Sequence, residues 1–399
     1  MTEPINAVVV GIGGRGAWMA EQVARSPRFS LCGLCDLVPA RARTAAGRIG
    51  DQTIRVYEDY GACLADCDFD AVFICTHDGA HADIAVPSLA AGKFVFVEKP
   101  LEITAARCDA VIAADRRAGG RTSVGHNLRE APVYAAIRRM LDRGAIGDVL
   151  TIEANEFYTG GRTYFRRWNR LRSMGGGLWI TKACHDFDIL HWMAGSKPVS
   201  VAAFDELSHY RPRPEAAALC RDCPLLPDCP DSHFRGTPAE RSALAETART
   251  DPADDKPDLC VFNSDKDTFD HGSAVVKFAN GVTACYTVNV VSSFTRREIR
   301  VSGTEGCLEG DLETGELIHY RRDPEHRERI DLSRGAAGGH GGGDEHILDS
   351  FAEFACGRDA DVVRPETAAV AVRMGLAATL AADENRVVRM DEIGAEGDG

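Results

Sequence analysis

The stretch INAVVVGIGGRGAWMAEQVARSPRFSLCGLCD, residues 5–36, decides how the rest of the chain is interpreted. It begins with a short, β-branched apolar run, which is typical of a strand buried on both faces. The next six residues, GIGGRG, follow the pattern G-x-G-x-x-G and lead into a run of helix formers that stops at Pro27. A second apolar run then ends in Asp36. A strand, a glycine-rich turn, a helix and an acid at this spacing predict a dinucleotide-binding βαβ unit.

The glycines of this turn have distinct expected roles. Gly11 permits the sharp turn between strand and helix, Gly13 lets a pyrophosphate approach the backbone, and Gly16 lets the helix pack closely on the strand. The N–H groups and the positive dipole end of the helix then hold the phosphates. The carboxylate of Asp36 is placed to accept both ribose hydroxyls of an adenosine and would repel a 2′-phosphate, which favours NAD; Arg41, further along the chain, leaves NADP open.

Length and charge exclude several classes of protein. At 399 residues the chain is long enough for two or three domains, and we predict two. The net charge of −14 argues against nucleic acid and anionic membrane surfaces as partners. The opening residues MTEPINAVVV run directly into the first strand, and the chain contains no apolar run of about 18 residues. We therefore expect a cytoplasmic protein with no membrane segment.

Two periodicities divide the chain. As far as His126, strands alternate with helices, which indicates βαβ units and a parallel sheet. From Asp148 onward the strands alternate apolar and polar residues with period two, and Asn280-Gly281 is a hairpin turn between two of them. We also predict one helix over residues 127–143 and another over residues 182–194. The predicted fold is an N-terminal Rossmann domain with a doubly wound parallel sheet, followed by an α+β domain with a large open, mostly antiparallel sheet.

The domain boundaries follow from this division. We assign residues 1–127 to the dinucleotide-binding domain and residues 128–390 to a domain for substrate binding and oligomerisation. The second domain includes a cysteine-containing insertion at residues 205–260, and residues 391–399 form a flexible tail. Because an exposed antiparallel sheet face is a natural subunit interface, we expect a homodimer or a homotetramer.

Three motifs in order resemble the family of glucose–fructose oxidoreductase, inositol dehydrogenase and rhizopine-catabolism proteins, abbreviated Gfo/Idh/MocA. They are GIGGRG at residues 11–16, EKP at residues 98–100 and GGGLWITKACHDFDILHW at residues 175–192. VGHNLR at residues 124–129 and GTEG at residues 303–306 extend the resemblance over nearly the whole chain. It implies an NAD(P)-dependent oxidoreductase acting on a sugar, inositol or related polyol by hydride transfer between a carbinol carbon and nicotinamide.

Lys99 and His185 are the main catalytic candidates. The Lys99 ammonium ends a strand at the crevice and is suited to polarise a substrate hydroxyl, or to deprotonate it if burial lowers its pKa toward neutrality. The resemblance implies that Lys99 lies beside the nicotinamide and that His185 is the catalytic histidine. The family usually has an aspartate four residues before this histidine, where this chain has Thr181. Lys182 is a new cation in the same turn, so a relay of Lys99, Lys182 and His185 is one hypothesis. Solvated surface lysines are the alternative.

The remaining predicted site residues fall into two sets. The cofactor set lies at the ends of the first strands and in the motifs above: Gly11, Gly13, Gly14, Arg15, Gly16, Asp36, Thr76, His77, His81, Glu98, Lys99 and Asn127. The substrate set lies in an aromatic and cationic loop, in the helix after it and in a glycine-rich segment: Tyr158, Arg166, Trp168, Asp188 and His340. For the loop arginines the alternative is a solvated basic surface, and for His340 it is a flexible linker.

Four of the fourteen cysteines form a separate group, Cys220-x2-Cys223-x5-Cys229 with Cys260 further on. Two thiolates of a C-x2-C pair and two more from nearby loops suit a tetrahedral structural zinc site, and an iron–sulfur cluster is the alternative. Unligated thiols in a proline-rich insertion are the third interpretation.

Two further functions remain open alongside the dehydrogenase. A glycosidase or epimerase that oxidises a sugar transiently and keeps its NAD is suggested by the change at Thr181. A non-catalytic, nucleotide-sensing regulator is the alternative of another class, although the presence of Lys99 and His185 argues against it.

Overall fold

The computed structural model describes residues 3–234, 258–323, 326–335, 339–344 and 346–394. Residues 235–257 of the predicted insertion, and the predicted tail beyond Gly394, lie outside the described residues. In the described part of the chain, no helix combines the length and apolar character needed to cross a bilayer.

The first part of the chain forms a six-stranded, entirely parallel sheet with the strand order β3-β2-β1-β4-β5-β6. Its strands are β1 (Ile5–Val10), β2 (Phe29–Cys35), β3 (Arg55–Tyr57), β4 (Ala71–Ile74), β5 (Phe94–Glu98) and β6 (Thr122–Gly125). The helices between them are α1 (Gly14–Arg25), α2 (Pro39–Ile49), α3 (Tyr60–Asp66), α4 (His81–Ala90) and α5 (Ala105–Arg117). The central strands are buried on both faces, as their continuous apolar runs require. The predicted Rossmann sheet is confirmed.

The second sheet has nine strands in the order β14-β13-β12-β11-β7-β10-β9-β8-β15, and β7 and β10 are its one parallel pair in the described part of the chain. The strands are β7 (Val149–Phe157), β8 (Pro198–Glu206), β9 (His271–Phe278), β10 (Thr283–Asn289), β11 (Arg296–Gly303), β12 (Gly306–Asp311), β13 (Glu316–Arg321), β14 (Arg327–Asp331) and β15 (Val388–Arg389). Buried and exposed residues alternate strictly along β9. The hairpin turn at Asn280-Gly281 is confirmed, with Gly281 at a φ of +92°. The predicted open, mostly antiparallel sheet is therefore correct.

The described residues after β6 form seven α-helices: α6 (Pro132–Asp142), α7 (Arg162–Arg166), α8 (Arg172–Gly175), α9 (Leu178–Thr181), α10 (Cys184–Ala194), α11 (Ile347–Ala355) and α12 (Pro365–Glu384). A single helix over residues 127–143 was expected, but the chain makes a short 3₁₀ turn and restarts at Pro132. Proline disfavours a helical residue before it, and Ala131 is extended with a ψ of 128°.

The last two helices return to the Rossmann sheet. Phe351 of α11 packs edge-on against Phe73 and Phe96, with ring centroids 5.2 and 5.6 Å away. Helix α12 contacts α5 of the first sheet as well as α10 and β8 of the second. Residues from the end of the chain therefore connect the six-stranded sheet to the nine-stranded sheet.

Candidate active site

The backbone of the glycine-rich turn packs so closely against neighbouring backbone that two of its positions require glycine. Gly11 has a φ of +85°, and a Cβ on it would lie 2.6 Å from the backbone nitrogen of Thr76. A Cβ on Gly16 would lie 1.7 Å from the carbonyl oxygen of Gly11. Gly13 and Gly14 differ, since a Cβ on either meets no heavy atom of the described residues within 4 Å.

The open side of this turn fits the pyrophosphate of a dinucleotide. Helix α1 begins at Gly14. Among the described residues no side chain caps this helix, and its first turn contains no acidic residue. Its first N–H groups and the positive end of its dipole are therefore available to bind an anion.

Asp36 joins the end of β2 to the glycine-rich turn. Its Oδ2 accepts the N–H of Ile12 at 2.6 Å, and its Oδ1 accepts the N–H of Val38 at 2.8 Å. The guanidinium of Arg41 is 3.9 Å from the carboxylate. A carboxylate has about four acceptor positions, so these two bonds leave capacity for ribose hydroxyls.

Arg15 links the turn to two distant parts of the chain. Its Nε donates to Glu98 at 2.6 Å, and its Nη2 donates to Asp344 at 2.7 Å. Asp344 also accepts from Asn127 at 2.5 Å and lies 3.0 Å from Nδ1 of His340. Burial alone would raise the pKa of Asp344, but the bonds from His340 and Arg15 hold it far below its usual range. The predicted cofactor residues Arg15, Glu98 and Asn127 thus share one network with His340.

The residues after β4 pack on the turn that contains Lys99. His81 is fully buried with Nδ1 2.8 Å from the carbonyl oxygen of Pro100, and burial lowers its pKa, so the ring is neutral. The peptide bond between Lys99 and Pro100 is cis. His77 lies with its ring 6.1 Å from that of Trp168. These contacts bring the predicted cofactor loop and the predicted substrate loop together.

Lys99 points from the end of β5 to the second domain, where its Nζ donates to the carbonyl oxygen of Thr181 at 2.9 Å. The pKa of Lys99 is raised rather than lowered. Burial lowers the pKa of Lys99, but the ionisable groups of Cys184, Tyr164 and Asp78 raise it by more. Lys99 therefore serves as a charged hydrogen-bond donor at neutral pH and not as a neutral base.

His185 lies in α10 with its ring 6.2 Å from that of His126 and 5.2 Å from that of His340. It is only 3% exposed, and neither ring nitrogen has a hydrogen-bond partner among the described residues. Burial and then the charge of Lys99 lower its pKa well below the usual value. His185 is therefore a neutral imidazole at neutral pH.

Thr181 and His185 lie in two successive helices. Helix α9 ends at Thr181, Lys182 has a φ of −109°, and α10 begins at Cys184. The predicted helix over residues 182–194 therefore begins two residues later than expected, after a break at residues 182 and 183.

Lys182 belongs to a buried group of two cations and two carboxylates. Its Nζ lies 2.6 Å from Glu156 and 4.1 Å from the ring centroid of Tyr158. Arg297 pairs with both Glu156 and Asp186. Burial raises the pKa of Asp186 to about 6. The Lys182 ammonium is therefore compensated by protein charge within this group.

Comparison with known proteins agrees with this geometry. The profile described as "Oxidoreductase family, NAD-binding Rossmann fold" matches residues 5–126, and "Oxidoreductase family, C-terminal alpha/beta domain" matches residues 138–390. The chain belongs to the Gfo/Idh/MocA oxidoreductase family. It is an NAD-binding oxidoreductase by that membership, and the resemblance read from its motifs is confirmed.

Individual Gfo/Idh/MocA relatives are distant. The putative oxidoreductase YteT of Bacillus subtilis (strain 168) is 28% identical over 308 residues, 71% of this chain and 72% of that protein. An inositol 2-dehydrogenase of Rhizobium meliloti (strain 1021) is 32% identical over 197 residues, 49% of this chain and only 56% of the relative. The crystal structure of an oxidoreductase domain protein from Kribbella flavida superposes with a TM-score of 0.76 at 22% identity, covering 98% of this chain and all of that one. That likeness shows the shared fold.

Two predicted substrate residues of this Gfo/Idh/MocA protein are occupied by protein partners. The guanidinium of Arg166 donates to the carbonyl oxygens of Leu259 at 3.1 Å and Asp231 at 2.9 Å. The carboxylate of Asp188 accepts two bonds of 2.7 Å from Arg129. Both side chains therefore have protein partners without a substrate. The rings of Tyr158 and Trp168, in contrast, remain partly exposed near the crevice.

The four predicted metal ligands, Cys220, Cys223, Cys229 and Cys260, line one cavity of about 260 Å³. Even so, no three His, Cys, Asp or Glu side chains of the described residues are arranged to hold a metal ion. Burial raises the pKa of Cys220 and of Cys229, and each sulfur accepts a backbone hydrogen bond, from His233 and Asp231 respectively. The described residues therefore give no support to the zinc or iron–sulfur prediction.

Sequence reasoning did not single out two groups next to Lys99, namely Asp78 and Tyr164. Asp78 follows β4 directly, and a carboxylate at the carboxyl end of a parallel strand is a usable signal. Tyr164 lies in a short helix of the second domain, and nothing in its local spacing relates it to Lys99.

Proposed function

We propose that this protein is an NAD-dependent dehydrogenase of a sugar, inositol or related polyol. The supporting observation is that a charged Lys99 lies near a neutral His185 whose two ring nitrogens have no hydrogen-bond partner among the described residues, and that the ammonium lowers the pKa of the imidazole. A donor and an acceptor of protons at one crevice suit the oxidation of an alcohol, which requires removal of a hydroxyl proton.

The binding groups divide between cofactor and substrate. The first N–H groups of α1 bind the cofactor phosphates, and Asp36 binds the adenosine ribose. NAD, when bound, takes the hydride from the carbinol carbon. Tyr158 and Trp168 supply apolar ring faces for the carbon skeleton of a sugar or cyclitol. The named activity of the R. meliloti relative, inositol 2-dehydrogenase, makes inositols the first substrates to examine.

The residues then act on the hydroxyl in defined roles. Lys99 donates a hydrogen bond to the substrate oxygen and stabilises the negative charge that develops there. A ring nitrogen of His185 takes up the hydroxyl proton, since both nitrogens lack partners among the described residues.

Steady-state assays of inositols, aldoses and sugar alcohols with NAD and with NADP test this function. We expect NADH formation with at least one substrate and a higher kcat/KM with NAD, because Asp36 repels a 2′-phosphate. The Lys99→Met variant provides the background rate. Absence of NAD(P)-linked turnover across the panel would contradict the proposal. NAD that copurifies with the protein, combined with glycoside cleavage or epimerisation and no net NADH, would favour the retaining glycosidase or epimerase instead.

We also propose that the protein forms a homodimer or homotetramer through the outer face of the nine-stranded sheet. Apolar side chains on three of its strands are exposed: Leu150 by 51%, Phe204 by 69% and Val275 by 44%. Isolated surface apolar groups need no partner, but several on one sheet face favour an interface.

Light scattering of the double variant Phe204→Glu/Val275→Glu tests this assembly. We expect the wild type to have the mass of a dimer or tetramer and the double variant to have a lower mass, because charges would be buried in the interface. Leu37→Glu is the matched control, since Leu37 is 84% exposed but lies in the first domain. A monomeric wild type would refute the proposal.

A further inference from the structure

Asp78 is a buried carboxyl group beside Lys99. It lies in the short 3₁₀ turn that follows β4 and is only 5% exposed. Its Oδ2 has no hydrogen-bond partner among the described residues. A buried carboxylate is costly without a compensating partner, so its surroundings determine whether it carries charge.

Thr181 connects Asp78 to Lys99. The Thr181 Oγ1 accepts a hydrogen bond from the Asn169 side chain at 3.0 Å, which leaves its own hydrogen to donate to the Asp78 carboxyl. The carbonyl oxygen of the same residue accepts from Lys99 Nζ at 2.9 Å. Thr181 therefore orients the carboxyl with its side chain and the ammonium with its backbone.

Other charged groups near Asp78 have partners of their own. Glu98 accepts from Arg15 at 2.6 Å, and Glu102 accepts from Arg107 at 2.9 Å. Both carboxylates disfavour a charge on Asp78, and Lys99 favours it.

The other groups that face Lys99 are the Cys184 thiol of α10, the Tyr164 hydroxyl of α7 and the Lys182 ammonium. Burial raises the pKa of Cys184 to about 12 and that of Tyr164 above its usual value, so neither carries a charge at neutral pH, and Lys182 is paired with Glu156. Among the neighbours of Asp78, Lys99 favours its charge most strongly, and burial is the main opposing effect.

We propose that Asp78, oriented by the Thr181 hydroxyl, is the positioning residue that keeps the Lys99 ammonium charged and in place for catalysis. The inference rests on the proposed dehydrogenase function for its catalytic part, but the pairing of the two groups is independent of the substrate. It concerns a carboxyl that neither the motifs nor the family profiles assign.

Asp78 ionises before Lys99 as pH increases, and this order determines how Asp78 acts on Lys99. Burial raises the pKa of Asp78 to about 8, while the pKa of Lys99 is raised above its usual value. As pH increases, the pair therefore loses its first proton from Asp78, and the carboxylate then holds the ammonium. Without Asp78, Lys99 loses the attraction of that carboxylate and keeps the cost of its burial, so its pKa falls.

The experiment compares wild type, Asp78→Asn and Thr181→Val in the NAD-bound protein. Asparagine has the same shape without the ionisable group, and valine removes the hydroxyl while keeping the carbonyl that Lys99 contacts. For Asp78→Asn we expect the alkaline limb of the kcat profile to move down by about one to three pH units, the effect of losing an opposite charge. Thr181→Val should shift the alkaline limb in the same direction by a smaller amount. Thr181→Ser keeps the hydroxyl and should have the alkaline limb of the wild type.

Competitive acylation with acetic anhydride, followed by mass spectrometry, reports the pKa of Lys99 without any substrate, with Lys93 as an internal reference. A lower pKa of Lys99 in Asp78→Asn supports the inference even if no turnover is found, in which case only the proposed function fails. Asp115→Asn is the control, since Asp115 is a buried carboxyl of α5 that accepts from the N–H of Thr122 at the start of β6 and pairs with Arg364. An unchanged Lys99 pKa and an unshifted alkaline limb in Asp78→Asn would overturn the inference, whatever the loss in rate.

Discussion

Lys99→Met is expected to lower kcat by about 100- to 10,000-fold, the usual contribution of a positioned proton-handling group. Methionine has a similar length but cannot donate the hydrogen bond that Lys99 makes at 2.9 Å, nor carry its charge. The change leaves Asp78 without its cation, which favours the neutral acid and so avoids a bare buried charge. The loss should therefore appear in kcat, measured under saturating NAD and substrate, with little change in the NAD dissociation constant.

Lys93→Met is the matched control for this variant. Lys93 precedes β5, at the opposite end of the same strand, where its ammonium donates to the carbonyl oxygen of Phe69 at 2.6 Å. We expect its kcat to stay within a few-fold of the wild type at the same thermal stability as Lys99→Met. If both variants lost the same activity, or if Lys99→Met kept wild-type kcat, Lys99 would have no part in proton handling.

Gly16→Ala is expected to abolish detectable NAD binding and to destabilise the protein by about 1–3 kcal/mol or more, the usual cost of overpacking. The new Cβ would lie 1.7 Å from the carbonyl oxygen of Gly11, which is backbone and cannot turn aside. Helix α1 must therefore move away from β1, and its first N–H groups move with it. Titration of NAD by fluorescence and thermal unfolding measure the two losses.

Two other glycines separate cofactor binding from folding. Gly13→Ala meets no protein atom of the described residues within 4 Å, so it should keep the wild-type melting temperature and lose NAD affinity, because its Cβ faces the side on which the pyrophosphate approaches. Gly47→Ala in α2 is equally unobstructed and should bind NAD normally, with a gain of about 0.5–1 kcal/mol from helix propensity. Wild-type NAD affinity in Gly16→Ala would show that the close approach of α1 to β1 does not determine the cofactor site.

The fold was predictable because its signals are local. A strand buried on both faces is continuously apolar, as in β4, and a sheet with one solvated face alternates, as in β9. The requirement for glycine at residue 16 is local as well, because a Cβ there would meet the carbonyl oxygen of Gly11. Local reasoning failed where one residue changes the backbone, as Pro132 does when it divides the expected helix over residues 127–143.

The site was predictable in part. The positions of Lys99 and His185 follow from motifs, but their charge states do not, because each pKa depends on groups from other elements. Arg166 and Asp188 were placed with the substrate because Arg166 lies in the aromatic and cationic loop and Asp188 in the helix after it. Their partners are distant in sequence, and only the folded chain brings them into contact.

The amino-acid sequence by itself determined the Rossmann unit, the second sheet, the family and the glycine-rich turn, since these depend on periodicity and on short spacings. Only the tertiary structure decided that Lys99 is held by Thr181 and faces Asp78, and that Arg15 reaches Asp344, 329 residues along the chain. Such contacts leave no trace in local spacing. Burial and neighbouring charge then set which of these groups carries a proton, and this requires the complete packing around each of them.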